Sequence, residues 1–205
     1  MLRVGLTGGV ACGKSTVGAM LEEHGVHFLK ADLLAHQLYA PGEPTYHAVV
    51  EHFGRDILNP DGSINRSRLA NVAFPDRVGE LNAIVHPAVI AAQNRWMTDI
   101  ERKDPGGIAA VEGALIVEAG AARDFDKLIV VTCDFERKIA RYAQRARISH
   151  HDARAEVLRR TAAQLSDQEK ASHADFVIDN SGSLENTSLQ VDALWTKLRA
   201  PTATR

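Results

Sequence analysis

Cysteine is scarce in this chain. Only Cys12 and Cys133 occur in 205 residues, too few for a disulfide framework, so a reduced, cytoplasmic setting is expected. Long hydrophobic runs are also missing. No apolar stretch approaches the roughly 20 residues of a membrane span. The chain opens directly into an apolar strand pattern, with no basic n-region and no signal-peptide core. No membrane partner is therefore expected. Neither sign of charge is in surplus: 24 Lys and Arg stand against 26 Asp and Glu, a net charge of −2. Whole-molecule attraction to nucleic acid is not implied. No internal repeat or low-complexity segment is present, and only 200–205 reads as a disordered tail. What remains, 45 % hydrophobic and 24 % charged residues, suits one good-sized core with a small inserted subdomain. A monomer or small homo-oligomer acting on small molecules is the expected form.

Several nucleotide-binding signatures are missing too. The glycines at 5, 8, 9 and 13 never form G-x-G-x-x-G, which excludes a dinucleotide-binding turn. No N-K-x-D element reads guanine, and no L-S-G-G-Q signature marks a transport ATPase.

One signature is complete. Residues 8 to 16 read Gly-Gly-Val-Ala-Cys-Gly-Lys-Ser-Thr, a G-x-x-x-x-G-K-[ST] phosphate-binding loop placed after an apolar strand and before an apolar helix. Gly8, Gly9 and Gly13 let backbone N–H groups, those of Ala11 and Cys12 among them, converge on an anion. Lys14 reaches the β- and γ-phosphates, and the Ser15 hydroxyl can ligate Mg²⁺. Thr16 opens a helix whose positive end faces the same phosphates.

Short apolar runs alternate with helical periodicity along the rest of the chain. Strands are predicted at 3–7, 26–30, 108–111, 128–132 and 176–178. Helices are predicted at 15–24, 33–39, 45–53, 77–85, 87–103, 135–146, 151–163 and 184–198. The alternation predicts an α/β fold, a five-stranded parallel sheet covered on both faces. The gap between the second and third strands exceeds one crossover helix and reads as a helical insertion. The expected division is a core of 1–40, 107–134 and 174–199, an insertion of about 41–106, and a lid of about 135–165.

Ligands in such sheets sit at the carboxyl ends of the strands, and carboxylates fall there. Asp32 follows the second strand, where it can accept or orient the proton of an attacking hydroxyl while serving as N-cap of the 33–39 helix. Glu112 follows the third, where an acidic group holds Mg²⁺ directly or through water, with Glu118 six residues on. Asp134, after the fourth, reads as a helix N-cap. From 135 to 160 eight basic residues (Arg137, Lys138, Arg141, Arg145, Arg147, Arg154, Arg159, Arg160) face three acids. Helical spacing puts Lys138, Arg141 and Arg145 on one face. Beside a phosphate loop, such a run suits a lid that neutralises a transferring phosphoryl and excludes water. The residues alone leave two readings: a small kinase acting on a metabolite, or an NTP-dependent regulatory module.

From 2 to 199 the chain resembles the dephospho-coenzyme A kinase family. The resemblance is carried by Gly5-Leu6-Thr7-Gly8-Gly9 with the loop, Ala31-Asp32, and Asn65-Arg66-Ser67-Arg68-Leu69 with Phe74. It continues through Leu81-Asn82-Ala83-Ile84-Val85-His86-Pro87, Val111 to Glu118, and Ala174-Asp175-Phe176-Val177-Ile178-Asp179-Asn180-Ser181-Gly182. The His86-Pro87 element and the final stretch are the specific ones. The resemblance implies a nucleoside-monophosphate-kinase-like P-loop fold and transfer of the ATP γ-phosphoryl to the ribose 3′-hydroxyl of dephospho-coenzyme A, the last step of coenzyme A synthesis. It places Asp32 beside that hydroxyl, Arg66 and His86 on the acceptor side with Glu112, and Asn180 and Gly182 near the adenine of ATP. Arg141 falls in the family's basic lid helix and is the favoured lid arginine, with Lys14 and Asp32 completing the catalytic set; Ser15 and Glu112 are the expected Mg²⁺ ligands. Four features depart from the family pattern. Ala11-Cys12 stands where Gly-Ser is common, Ala114 where many members have Pro, and Ala146 where many have Asp. The 149–164 segment reads as one helical turn long.

Overall fold

The computed structural model describes residues 1–74 and 76–200. Most of the expected disordered tail, 201–205, lies outside the described residues. The chain divides into two compact units. One comprises Met1–Leu29 and the chain from Lys103 onward; the other is Lys30–Arg102.

The first unit is built on a sheet of five parallel strands in the order β2-β3-β1-β4-β5. They are β1 Leu2–Gly8, β2 His27–Lys30, β3 Ile108–Glu112, β4 Lys127–Thr132 and β5 Phe176–Asp179. Central β1 pairs in parallel with β3 (Leu6 opposite Glu112) and with β4 (Gly8 opposite Val131). The order reverses on either side of β1, and that switch point is where a ligand crevice opens. Both sheet faces are buried, as the near-continuous apolar strands require. Along β4 the alternation is visible: Ile129 and Val131 join the core of β1, α1 (Lys14–Glu23) and α9 (Leu184–Leu198), while Leu128 and Val130 pack on the opposite side with Ile116 and Phe125. Helices α6 (Phe135–Ala146) and α7 (His150–Ala162) bury Ile139, Tyr142, Ala153 and Val157 against each other and against Val10 of the phosphate loop.

The second unit is helical: α2 Ala31–Leu38, α3 Pro44–Phe53, α4 Arg66–Ala73 and most of α5 Val78–Lys103. Its own core gathers Val49, Phe53, Ile57, Ile64, Leu69, Ala73 and Val85, with Ala35 and Tyr39 packed against it. The Asp61-Gly62-Ser63 turn closes as its residues demand, with Gly62 at φ 83° and the Ser63 hydroxyl donating to Asp61 at 2.6 Å.

Three expectations change. The helical unit begins at Lys30, so α2, expected in the core, belongs to it. The helices predicted at 77–85 and 87–103 are one helix with Pro87 inside; proline removes a single backbone donor, and a helix of 26 residues retains the rest. Asp32 is not an N-cap. The helix starts two residues earlier, with Lys30 at that position and Asp32 in the first turn, where a carboxylate still complements the helix dipole. Two short helices were not foreseen: α4, and α8 at Asp167–Ser172. Asp134 occupies the N-cap of α6, yet its side chain makes no capping bond.

Candidate active site

The phosphate loop leaves β1 at Gly8 and enters α1 at Lys14, with Gly13 at the N-cap. Gly13 has φ 92°, and a Cβ there would lie 2.0 Å from the Asn180 side-chain nitrogen. Only glycine satisfies both the backbone and the contact. The first turn of α1 holds no acidic residue, so its positive end is uncompensated by the chain and available to an anion. Lys14 Nζ folds back over the loop, donating to the carbonyls of Gly8 (2.9 Å) and Gly9 (3.0 Å). These bonds hold the ammonium over the cradle.

Ser15 and Glu112 are brought together as expected. The Ser15 hydroxyl donates to Glu112 at 3.2 Å to Oε1 and 3.4 Å to Oε2. A cavity of about 260 Å³ opens over the loop, floored by Ala11, Gly13, Lys14, Ser15 and Thr16 and walled by Glu112, Arg141 and Arg145. Two hard oxygen donors at its edge suit a small divalent cation that keeps most of its waters and takes further ligands from phosphates. No cluster of three or more His, Cys, Asp or Glu occurs among the described residues, so a dedicated all-protein cage is not what this site offers.

The basic face of α6 splits into three environments. Lys138 is buried and paired with Asp167 at 2.6 Å. Arg141, on the cavity wall, is tied to the loop and its neighbours, donating to Cys12 O (3.2 Å), Asn180 O (3.0 Å), Asn180 Oδ1 (3.3 Å) and Cys133 Sγ (3.3 Å). Arg145 is exposed, its guanidinium 5.3 Å from the centre of the Tyr142 ring. Asn180 is only 1 % exposed. Its amide donates to Cys12 O at 2.9 Å and accepts from Thr187 Oγ1 at 2.8 Å. The structure therefore places Asn180 as a buttress under the loop, with Gly182 just ahead of Ser183, the N-cap of α9. Cys12 and Cys133 are free thiols whose pKa values are raised by burial. Glu118 lies away from the cradle, ion-paired with Lys170.

In the helical unit Asp32 and Arg66 line one cavity of about 330 Å³. Its walls include Ala35, Leu69 and Phe74, and two residues that sequence reasoning missed, His36 and Tyr39. They lie four and seven positions after Asp32, one helical face, and that spacing was the available signal. Burial and the nearby Arg66 charge lower the His36 pKa against an opposing pull from Asp32. Burial raises the Tyr39 phenol. His86 is exposed on α5 and does not line this cavity.

A parallel sheet whose central strand launches a glycine–lysine–serine loop, with an acidic strand end facing that serine, defines a P-loop kinase fold. The particular family follows from comparison with known proteins. The family model described as dephospho-CoA kinase matches residues 2–186. The chain is 43 % identical over 197 residues to the dephospho-CoA kinase of Geobacter metallireducens, covering 95 % of this chain and 96 % of that protein. It is 38 % identical over 200 residues to that of Aquifex aeolicus, covering 97 % and 98 %. Among solved structures it is similar to TT1252 from Thermus thermophilus (TM-score 0.77, 29 % identity, 96 % and 97 % covered). At the level of fold it is similar to the dephospho-CoA kinase from Campylobacter jejuni (TM-score 0.69, 23 % identity, 96 % of each chain). The chain belongs to the dephospho-CoA kinase family and is a phosphotransferase that uses ATP.

Proposed function

We propose that this chain phosphorylates the ribose 3′-hydroxyl of dephospho-coenzyme A with ATP, yielding coenzyme A and ADP, and that the residues described above divide the work. The observation that carries the reading is the Lys14–Ser15–Glu112 constellation around the glycine cradle, together with Asp32 and Arg66 on one cavity of the helical unit.

The loop amides and Lys14 hold the β- and γ-phosphates, and positioning with charge neutralisation supplies most of the rate in a loose phosphoryl transfer. The hydroxyl oxygen forms a bond to the γ-phosphorus, the bond to the bridging oxygen of ADP breaks, and Asp32 accepts the hydroxyl proton before releasing it to solvent. Arg66 pairs with acceptor phosphate. Ser15 and Glu112 are the residues that would hold Mg²⁺, which when bound neutralises charge developing on the phosphates. Arg141, which also donates to the loop carbonyl of Cys12, and Arg145 both supply cations to the cavity over the loop. No helix among the described residues is long and apolar enough to cross a membrane.

The test is an ADP-release assay with ATP and Mg²⁺ across dephospho-coenzyme A, nucleoside monophosphates and small alcohols, with the phosphorylated position of the product determined. Turnover is expected with dephospho-coenzyme A alone, at the 3′ position. Asp32→Asn is expected to bind ATP with unchanged affinity and to lose about 10²–10⁴-fold in kcat, the range for a positioned acid or base. Full turnover by that variant, or preference for a monophosphate acceptor, overturns the reading.

A further inference from the structure

Lys170 is the most deeply buried charge in the sheet unit, with no measurable exposure. It sits on α8, a helix of six residues whose remaining positions are all partly or fully exposed. Burying an ammonium is costly unless it is paired and hydrogen-bonded, and here it is both. Nζ lies 2.9 Å from Glu118 Oε1 and donates to the carbonyl of Ala114 at 2.7 Å. Glu118 Oε1 also accepts from the backbone N–H of Leu165 at 3.1 Å, while its other oxygen is buried without a hydrogen-bond partner among the described residues. Lys170 is thus the cation that compensates a largely buried carboxylate.

What this pair holds is the chain that leaves β3. Glu112 ends the strand. Gly113 N donates to Leu6 O at 3.0 Å, extending the run alongside β1. One residue on, the Ala114 carbonyl takes Lys170 on one side and the Thr7 hydroxyl on the other, the latter at 3.4 Å. Thr7 is itself fully buried and immediately precedes Gly8, the first residue of the phosphate loop. A single carbonyl therefore joins the acidic strand end to the strand that launches the cradle, and Lys170 fixes it in place. The same short helix is tied to α6 by Asp167, paired with Lys138 at 2.6 Å.

We propose that Lys170 is a positioning residue for phosphoryl transfer: through Glu118 and the Ala114 carbonyl it sets the course of residues 112–118 and so the placement of the Glu112 carboxylate beside Ser15. The proposal rests on the reading of Glu112 as part of the triphosphate site. It touches neither ATP nor acceptor in its mechanism. A carboxylate displaced by about an ångström can cost on the order of a hundredfold in rate, whereas binding of the rest of each substrate is left largely intact.

The experiment compares the full-length wild type with Lys170→Met and Glu118→Gln, using steady-state kinetics and peptide-resolved hydrogen exchange. Each variant is expected to lose at least about tenfold in kcat, while KM for ATP and for dephospho-coenzyme A stays within about twofold. Amides of 113–120 are expected to exchange at least about tenfold faster, with those of β4 unchanged. A merely structural pair would lower thermal stability and the active fraction without this separation of kcat from KM. Wild-type kcat in a folded Lys170→Met, unchanged exchange over 113–120, or failure of both variants to fold overturns the proposal. Glu112→Gln measured in parallel separates the two readings. Wild-type turnover there sinks the role of Glu112, whereas a damaged Glu112→Gln beside an intact Lys170→Met sinks the role of Lys170 alone.

Discussion

Ala11 shows how a single backbone angle leaves a trace in sequence. It sits in the phosphate loop at φ 54°, the left-handed region, which costs a residue with a Cβ roughly 1–2 kcal/mol. Glycine pays no such steric cost, and the resemblance already marked 11–12 as positions where Gly-Ser is common. Ala11→Gly is therefore expected to relieve strain, offset in part by about 0.5–1 kcal/mol of added freedom in the unfolded chain. The net gain, on the order of 0.5–1 kcal/mol, corresponds to about 1–4 °C in Tm for a chain of this size. Because position 11 contributes only its N–H to the cradle, nucleotide affinity is expected to stay within about twofold. A scan of thermal unfolding with an ATP titration checks both, and a fall in Tm would mean that the loop, not the residue, sets the strain. At this scale what was legible of the candidate site was placement: Gly13-Lys14-Ser15 at the head of α1, Glu112 at a strand end beside Ser15, and Asp32 just past a strand end on a cavity of the helical unit. It was illegible at Lys138, Asp167 and Lys170. A lysine in sequence carries no sign of whether it will be buried and paired, and the default expectation for a charge is solvent.

Elements were legible to the extent that they bury apolar side chains at a regular period. All five strands and the helices α1, α2, α3, α6, α7 and α9 lie within a few residues of expectation, because each presents a continuous apolar run or a clear 3.6 period. The two that escaped offer almost none: α4 buries only Leu69 and Ala73, and α8 buries only Lys170. Pro87 misled in the other direction, splitting a helix that continues through it. On α7 the element-scale energetics can be tested by pH. Glu156 is bracketed by Arg159 and Arg160 at 2.6–2.8 Å. Their hydrogen bonds hold its pKa down at about 2, below the usual 4.5. A depressed folded-state value means the pairing stabilises fully above pH 4.5 and fades as pH falls toward 2. These arginines are largely solvated, so the contribution at neutral pH is about 0.3–1 kcal/mol. Glu156→Gln is expected to unfold at slightly lower denaturant than wild type at pH 7, with the gap closing by about pH 2–3. A gap that persists in acid would show that packing of the side chain, not its charge, is responsible.

For the molecule as a whole, the division into two units with separate cores makes ligand effects separable. Any ligand that binds only the folded state stabilises it by mass action, about 2.7 kcal/mol at a hundredfold excess over Kd, a factor of about 100 in the opening equilibrium. The cavity over the phosphate loop is lined entirely by the sheet unit, and the cavity of Asp32 and Arg66 entirely by the helical unit. A non-hydrolysable ATP analogue is therefore expected to slow hydrogen exchange in β1, α1 and β3, and dephospho-coenzyme A to slow it in α2 and α4. Each effect is expected to approach 100-fold at such an excess for amides that exchange by opening of their own unit. Arg66→Ala removes the charge from the second cavity only, so it is expected to abolish protection by dephospho-coenzyme A while leaving that by the analogue in place. Lys14→Met reverses the pattern. If the analogue alone protects α2 and α4, or if Arg66→Ala weakens both effects equally, the two substrates are not read by separate units and the assignment of the acceptor to the helical cavity fails.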